Sequence, residues 1–568
     1  NAGKNDKSAH IGYYLIDKGF ESLLRAARIR GSRQVPSGSC GVNRGLALYI
    51  SSAVFVAVLA AAGLVMLVHN GGLHYVSLWF IVLPAFVCAC GLSIALLNWG
   101  VTLFTVPRVL PRMDFSDGIP AGSRTLVVVP SMLSSAGNIE YLAETLEIRF
   151  LANRDDNLFF GLLTDFPDNK ERTAEFDEEL LLQARQKIAD LNDRYRGSSG
   201  DPFFLFHRPR QWNDRERTWM GYERKRGKLA ALNALLRGGT TERFESIVGN
   251  FEQLQTVKYV ITLDTDTLLP RDCAEQLAGI MAHPLNRAIY DENLGRIVEG
   301  YGILQPRVTA SLSGARLSYY TLMTDSEPGI DPYTRAVSDV YQDLFGEGSF
   351  IGKGIYDVDA FEQVLKGRFP ENRILSHDLL EGCYARSGLV SDVQLYEESP
   401  SSYHADVRRR LRWMRGDWQI ARWLLPTVPA FDGRSCKNTL SVLSKWKILD
   451  NLRRSLMSPS LVLLFIFGWT ILPDPFLWTA AVSGIILIPP LVISLFDFLR
   501  KPRDMPVVPH IAGAARSLLS RMVQALFTIV CLPYEAFTNL STIASTVFRM
   551  HITHRHLLEW LPSSESGN

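Results

Sequence analysis

Two pairs of long uncharged runs, set far apart in the sequence, constrain this chain more than any other feature. Leu46 to Val68 is 23 residues without a charge. A helix of that length exceeds the roughly 20 residues needed to cross a bilayer's hydrocarbon core. A short break at His69-Asn70-Gly71-Gly72 leads into a second uncharged run from Leu73 to beyond Val106, in which Pro84, Gly91 and Gly100 do not forbid a membrane helix. Toward the other end, Pro459 to Leu472 and Pro475 to Phe496 flank Pro473-Asp474-Pro475, and Asp474 is the single charge between Arg454 and Asp497. Paired runs of this length are rare as buried helices of a soluble protein, so membrane hairpins are expected at 46–106 and 458–498.

The overall composition conceals this division. Across 568 residues, 60 Lys+Arg nearly balance 58 Asp+Glu. The basic excess of a nucleic-acid binder is absent, and no nucleic-acid partner is expected. Seven cysteines (Cys40, Cys88, Cys90, Cys273, Cys383, Cys436, Cys531) are scattered without a Cys-x-x-Cys pair, which argues for a reducing compartment over a disulfide framework or structural zinc. Arg25, Arg28, Arg30, Arg33 and Arg44 precede the first hairpin, and Arg108 and Arg112 follow it. Arg453 and Arg454 precede the second, and Arg500, Lys501 and Arg503 follow it. This placement predicts hairpins dipping outward from the cytoplasm, with residues 1–45 and the middle of the chain cytoplasmic. Residues 432–457 read as an interfacial amphipathic segment, 499–521 as a cytoplasmic loop and 551–568 as a linker. The apolar stretch 522–550 is basic at both ends and holds Pro533 and Glu535, which favours a bent membrane segment turning through Pro533-Tyr534-Glu535.

Residues 107–431 have the composition of a soluble α/β enzyme. Thr125 to Pro130, Leu158 to Thr164 and Tyr259 to Leu263 are short apolar runs of the kind buried in parallel sheets. Helical patterns between them (138–151, 175–195 and 228–236) predict crossover connections and a doubly wound, Rossmann-like sheet. Ligands bind beyond the carboxyl ends of such strands.

Acidic residues stand at those ends. The third run leads into Asp264-Thr265-Asp266, where two hard oxygen donors suit Mg²⁺ or Mn²⁺ shared with a diphosphate. A second Asp-x-Asp, Asp357-Val358-Asp359, precedes a helical pattern and reads as a cap. Asp165 ends the second run and is either a ligand-facing carboxylate or a turn residue before Phe166-Pro167. Arg224-Lys225-Arg226-Gly227-Lys228 opens a helix as either a solvated basic face or a cation cluster for phosphates. Asp378, in Ser376-His377-Asp378, is either a helix cap or a general base. Arg408 to Gln419 gathers arginines around Trp413 and Trp418, suited either to sugar and diphosphate contacts or to an anionic lipid surface.

Asp165, Lys228 with Asn233, Asp264-Thr265-Asp266, Asp378 and Arg412-Trp413 occur in the order found in processive family 2-type glycosyltransferases such as cellulose and hyaluronan synthases. Those enzymes hold a GT-A domain between membrane helices. The chain resembles still more closely the cyclic β-1,2-glucan synthases, family 84 glycosyltransferases of Gram-negative bacteria, over residues 10–16, 221–229, 345–357, 376–382 and 556–560. The resemblance implies a GT-A-type domain flanked by transmembrane helices in the bacterial inner membrane. It implies an inverting transferase that polymerises glucose from UDP-glucose into β-1,2-glucan. Asp165 would then hold the uracil or ribose, Lys228 the phosphates, Asp264 the nucleotide and Asp266 the Mg²⁺ or Mn²⁺. Asp378 would be the base, Arg412 would meet the diphosphate and Trp413 the acceptor sugar, with Gly346, Glu347 and Phe350 in the acceptor-side wall. Arg409 departs from the Gln-x-x-Arg-Trp of cellulose-type synthases. Family members continue into a phosphorylase-like region, expected to belong to the same longer protein, and a separate glucan exporter is the expected partner. A synthase of another β-linked polysaccharide, a lipid-linked sugar transferase and a non-catalytic nucleotide-sugar or lipid-binding scaffold are the alternatives.

Overall fold

The computed structural model describes residues 7–27, 38–69, 75–105, 107, 109–197, 200–310, 318–324, 336–431, 433–499, 501 and 505–559. Arg28, Arg30, Arg33, Arg108, Arg500, Arg503 and Trp560, which carried part of the reading above, lie outside them.

The apolar runs of the middle region become a nine-stranded mixed sheet. Its strands are β1 (Thr125–Met132), β2 (Leu158–Asp165), β3 (Phe203–His207), β4 (Ser246–Val248), β5 (Tyr259–Thr262), β6 (Thr267–Leu268), β7 (Ile303–Ala310), β8 (Gly354–Asp357) and β9 (Ser387–Glu397). Their spatial order is β4-β3-β2-β1-β5-β8-β7-β9-β6. β3, β2, β1 and β5 are mutually parallel, as the sequence predicts. β8 runs against them, and β7 and β9 pair in parallel on its far side.

Alternate residues of β1 point to opposite faces, and each face has its own core. Val127 and Val129 pack with the helices Ala136–Ala152, Asp177–Tyr195 and Cys273–Ala282, whereas Leu126 and Val128 pack with Arg224–Leu236 and Val358–Leu365. Both faces are covered, so the strand is apolar throughout and alternation is absent from its sequence. Asp357 does cap its helix, accepting from the Ala360 amide at 3.0 Å.

Below the sheet stand helices Gly38–His69 and Tyr75–Phe104, then Met457–Thr470 and Pro475–Leu499. Three of these four, together with the later stretch Val507–Thr553, are long and apolar enough to cross a membrane by length and composition, and Met457–Thr470 is a shorter apolar helix. The first pair meets through Ala57, Ala61 and Ala89, small residues that let helix backbones approach without water to drive them together. Ile81, Cys88, Leu464 and Trp478 join the two hairpins.

The stretch 522–550 differs from expectation. It does not turn at Pro533 but belongs to one unbroken helix, Val507–Phe548, of 42 residues. A proline inside a helix removes one backbone bond and bends the axis, but it does not reverse the chain. Glu535 and Asn539, just beyond it, anchor the continuing helix to Arg410 and to the Ser455 carbonyl. The expected cytoplasmic loop 499–521 is correspondingly short, because this helix already begins at Val507.

The sheet domain and the apolar helices are joined by buried charge. Lys447, on helix Val442–Ser455, donates to Glu347 Oε1 at 2.8 Å and to the Gly348 carbonyl at 2.6 Å, and both side chains are buried. Removing one partner of a buried pair costs about 3–5 kcal/mol, because the other charge is left in a poor solvent. Lys447→Met should therefore lower the denaturation midpoint of the detergent-purified protein sharply. Lys447→Met with Glu347→Leu should recover most of the loss.

Candidate active site

β5 ends at Thr262, and the chain then presents Asp264 and Asp266 beyond the sheet edge. Their loop is held from below by Arg149. Its buried guanidinium donates to the carbonyls of Thr265 (2.8 Å), Thr267 (2.8 and 3.1 Å) and Asp264 (3.3 Å). With its carbonyls held inward, the loop turns its carboxylates outward. Glu397, the last residue of β9, faces them because Glu397 pairs with Thr267 across the β9–β6 ladder. Oxygens of Asp264, Asp266 and Glu397 lie within 4.8 Å of one another.

Three like charges so close must be compensated. Lys225 donates to Asp264 Oδ1 at 2.7 Å, and Lys353 reaches Asp264 Oδ2 at 3.1 Å while pairing with Glu397. Against the desolvation of burial, these two ammoniums hold the Asp264 carboxyl well below the usual range. Asp266 has less such help, from Lys353 alone. Burial first, then Glu397 and Asp264, push it up to about 6. Lys353, despite burial, is pushed up by Asp264, Glu397 and Asp266.

Asp378 opens a short helix, Asp378–Tyr384, and its charge acts on Lys225. The Lys225 ammonium also donates to the Gly352 carbonyl at 2.7 Å, and Gly352 lies directly against Asp378. A Cβ on Gly352 would sit 2.9 Å from Asp378 Oδ1, and its φ of +88° is itself unfavourable for other residues. Burial, the largest influence, raises the Asp378 pKa, with Lys225 opposing. Arg412 comes from helix Tyr403–Gln419. Burial lowers its pKa, and Asp264, Asp266 and Asp378 are among the charges that raise it. Trp413 on the same helix is covered on one face by Arg409, whose guanidinium lies 5.0 Å from the ring centroid and pairs with Asp406.

The remaining expected residues are placed elsewhere. Asp165, at the end of β2, is chelated by Arg208 through two contacts of 2.9 Å and approached by Lys228 at 3.3 Å. Lys228 is buried and also donates to the Ser131 carbonyl. Burial lowers its pKa to about 8, with Asp165 opposing. These three form a closed charge group under Gly221, where a Cβ would collide with the Asp165 carboxylate. Lys225, not Lys228, stands at the Asp264 cluster. Gly346 accepts at its carbonyl from Arg386 and Tyr301, Glu347 is paired with Lys447, and Phe350 is a core residue, 3% exposed. Their side chains are not brought to the acidic cluster.

Lys225, Lys353, Glu397 and Arg149 are the residues the sequence did not single out. Lys225 was within reach: the helix begins at Arg224, so its first turn faces the strand ends while Lys228, one turn deeper, enters the core. Glu397 carries no local signal, since it arrives through the pairing of β9.

No family model matches the chain. Among curated proteins, a cyclic β-(1,2)-glucan synthase, NdvB, of Rhizobium meliloti (strain 1021) is 39% identical over 497 residues, which is 87% of this chain. The chain spans 17% of that relative's length. Among solved structures, a mannosyltransferase, PcManGT, from Pyrobaculum calidifontis in complex with GDP-Man and Mn²⁺ aligns with 83% of this chain and 98% of its own at 15% identity and a TM-score of 0.38. The 39% identity over 87% of its length makes this chain homologous to a segment of the cyclic β-(1,2)-glucan synthases.

Proposed function

We propose that this chain is the glucosyl-transferring part of a cyclic β-1,2-glucan synthase, moving glucose from UDP-glucose onto a growing glucan with inversion. The observation that carries the reading is the grouping of Asp264, Asp266 and Glu397, faced by Lys225 and Lys353, with Asp378 across Lys225. The donor set fits a hard divalent cation: three carboxylates, one poised to lose its proton near pH 6, with the Lys353 ammonium now lying among them. Asp264, Asp266 and Glu397 would hold Mg²⁺ or Mn²⁺, which supplies charge neutralisation for the diphosphate leaving group.

The chain's own residues account for the rest. Lys225, Lys353 and Arg412 place positive charge where the diphosphate develops negative charge. Asp378, raised by burial, accepts the proton of the acceptor 2-hydroxyl, and its distance from the acidic cluster is kept by the Lys225–Gly352 contact. Trp413 offers a ring face to the acceptor sugar, with Arg409 holding its orientation from the other side. Asp165 and Lys228 act on the nucleotide end through the position of Gly221 and the first turn of the Arg224–Leu236 helix. Gly346, Glu347 and Phe350 shape the acceptor side as packed supports of the 346–354 loop.

In this reading the domain faces the cytoplasm of a bacterial inner membrane. A phosphorylase-like region of the same longer protein trims the product, and a separate exporter moves it. Homology to a glucan synthase favours this over a silent scaffold.

Membranes carrying the full-length protein, given labelled UDP-glucose and Mn²⁺, should yield 1,2-linked glucan. Asp378→Asn should lower synthesis by about 100-fold or more while leaving UDP binding in place; full synthesis by that variant removes Asp378 as base. Because burial raises the Asp378 pKa, the base form is lost as pH falls through a value above the ordinary carboxylate range. The acid limb of kcat/KM should therefore lie above about pH 4. Chelation should abolish turnover and Mn²⁺ restore it, with Glu397→Gln requiring about 10-fold or more extra Mn²⁺.

A further inference from the structure

Helix Val507–Phe548 is hard to reconcile with a membrane crossing. At 1.5 Å per residue, 42 residues span about 63 Å, twice the hydrocarbon thickness of a bilayer. Its contacts are more decisive. Gln524 donates to the carbonyl of Met323, and Phe527 packs edge-on to Tyr403 at 5.2 Å between centroids. Glu535 accepts from Arg410 (3.0 Å) and Tyr403 (3.2 Å). Just past the helix, the Leu557 carbonyl accepts from Gln419, and the Leu558 amide donates to Glu216.

The catalytic domain is thus touched at residue 524, again at 535, and again beyond 549. On the helix itself the contacts at 524 and 535 lie about 17 Å apart along the axis, so this stretch runs alongside the domain rather than away from it. The same helix is also tied to the catalytic-side ends of the membrane hairpin. Arg521 pairs with Asp497 at 2.6 Å, and Asn539 donates to the Ser455 carbonyl.

Its two faces differ in an unusual sense. The protein-facing side carries Arg521, Gln524, Glu535, Asn539 and Thr546, small or polar and bonded. Opposite them, Leu519, Val523, Leu526, Val530, Phe537 and Phe548 follow helical spacing in one outward stripe. Val530 is 76% exposed and Phe537 73%. Arg516 flanks the stripe, where a long stem carries a guanidinium to headgroup level. So long an apolar stripe needs a partner, and one is adjacent: Leu532 packs into the shared core of the membrane helices, so the stripe continues their lipid-facing surface.

We propose that helix Val507–Phe548 lies in the plane of the membrane interface beneath the catalytic domain, its apolar stripe seated in the leaflet on that side, and does not cross. Through Glu535 it carries the Tyr403–Gln419 helix, and so the bilayer surface sets the height of Arg412 and Trp413 above the lipid. The inference concerns topology and stands whether or not the glucan reading holds.

The test uses the whole protein reconstituted in liposomes with a fluorophore on one engineered cysteine at a time: Leu519→Cys, Val530→Cys, Phe537→Cys and Phe548→Cys. Lipids with nitroxide quenchers at shallow and at deep acyl positions report depth. Leu477→Cys, Ile488→Cys and Leu495→Cys on the Pro475–Leu499 helix serve as crossing controls. An in-plane helix gives shallow-dominated quenching with the same shallow-to-deep ratio at all four positions, while the controls step through the bilayer. Depths that pass through the bilayer centre along the four positions overturn the proposal. Absence of quenching by either lipid at the four positions overturns it too, because the stripe is then covered by something other than lipid.

Discussion

The mutual repulsion of Asp264, Asp266 and Glu397 is the interaction on which the rest of the catalytic domain depends. Three carboxylate oxygens within 4.8 Å do not stay together without cations. Each compensating charge comes from a different part of the chain: Lys225 from the first turn of a helix, Lys353 from the loop before β8, and Arg412 from the helix after β9. Arg149 then fixes the backbone that aims two of the acids. No short segment can form this group. The mixed sheet is required, because β5 supplies two of the acids while β9, three strands away, supplies the third.

The same logic of buried charge joins the domain to its frame. Glu347 is fixed by Lys447, and Arg410 by Glu535, so the glycine-rich loop and the Arg-Trp helix are each tied to a helix of the membrane region. Such pairs add little net stability over well-packed apolar contacts, but they tolerate few alternative arrangements. In a protein whose membrane helices pack through Ala and Leu, they set the register between the two halves.

The membrane hairpins and three of the four parallel strands were legible in the sequence because each rests on local apolar patterning: β1, β2 and β5 appear within two residues of the runs that predict them, whereas β3 was not read. The half beyond β8 was not legible. β7 contains Pro306 and Arg307, and β9 alternates after Val390, so neither reads as a buried strand. For the site, Asp264, Asp266 and Asp378 were visible as acids at strand and helix ends, whereas Glu397 and Lys353 depend on long-range pairing that leaves no local trace. Pro533 misled because a proline in an apolar run has two outcomes, a turn or a bent but continuous helix. Contacts made by Glu535 and Asn539, distant in sequence, select the second.

Gly352 shows how closely Asp378 and the acidic cluster are linked. Its carbonyl accepts from the lysine that neutralises Asp264, and its missing side chain leaves room for the Asp378 carboxylate. Any larger residue would displace either Asp378 or the loop carrying Lys353, and the left-handed backbone would add strain. One lysine and one glycine therefore connect Asp378 to the negative cluster. Electrostatics argues for that connection: two anionic sites brought closer would raise each other's pKa until one was neutral, whereas an intervening ammonium lets both stay charged. Lys225 thus bonds both Asp264 and the glycine that packs against Asp378.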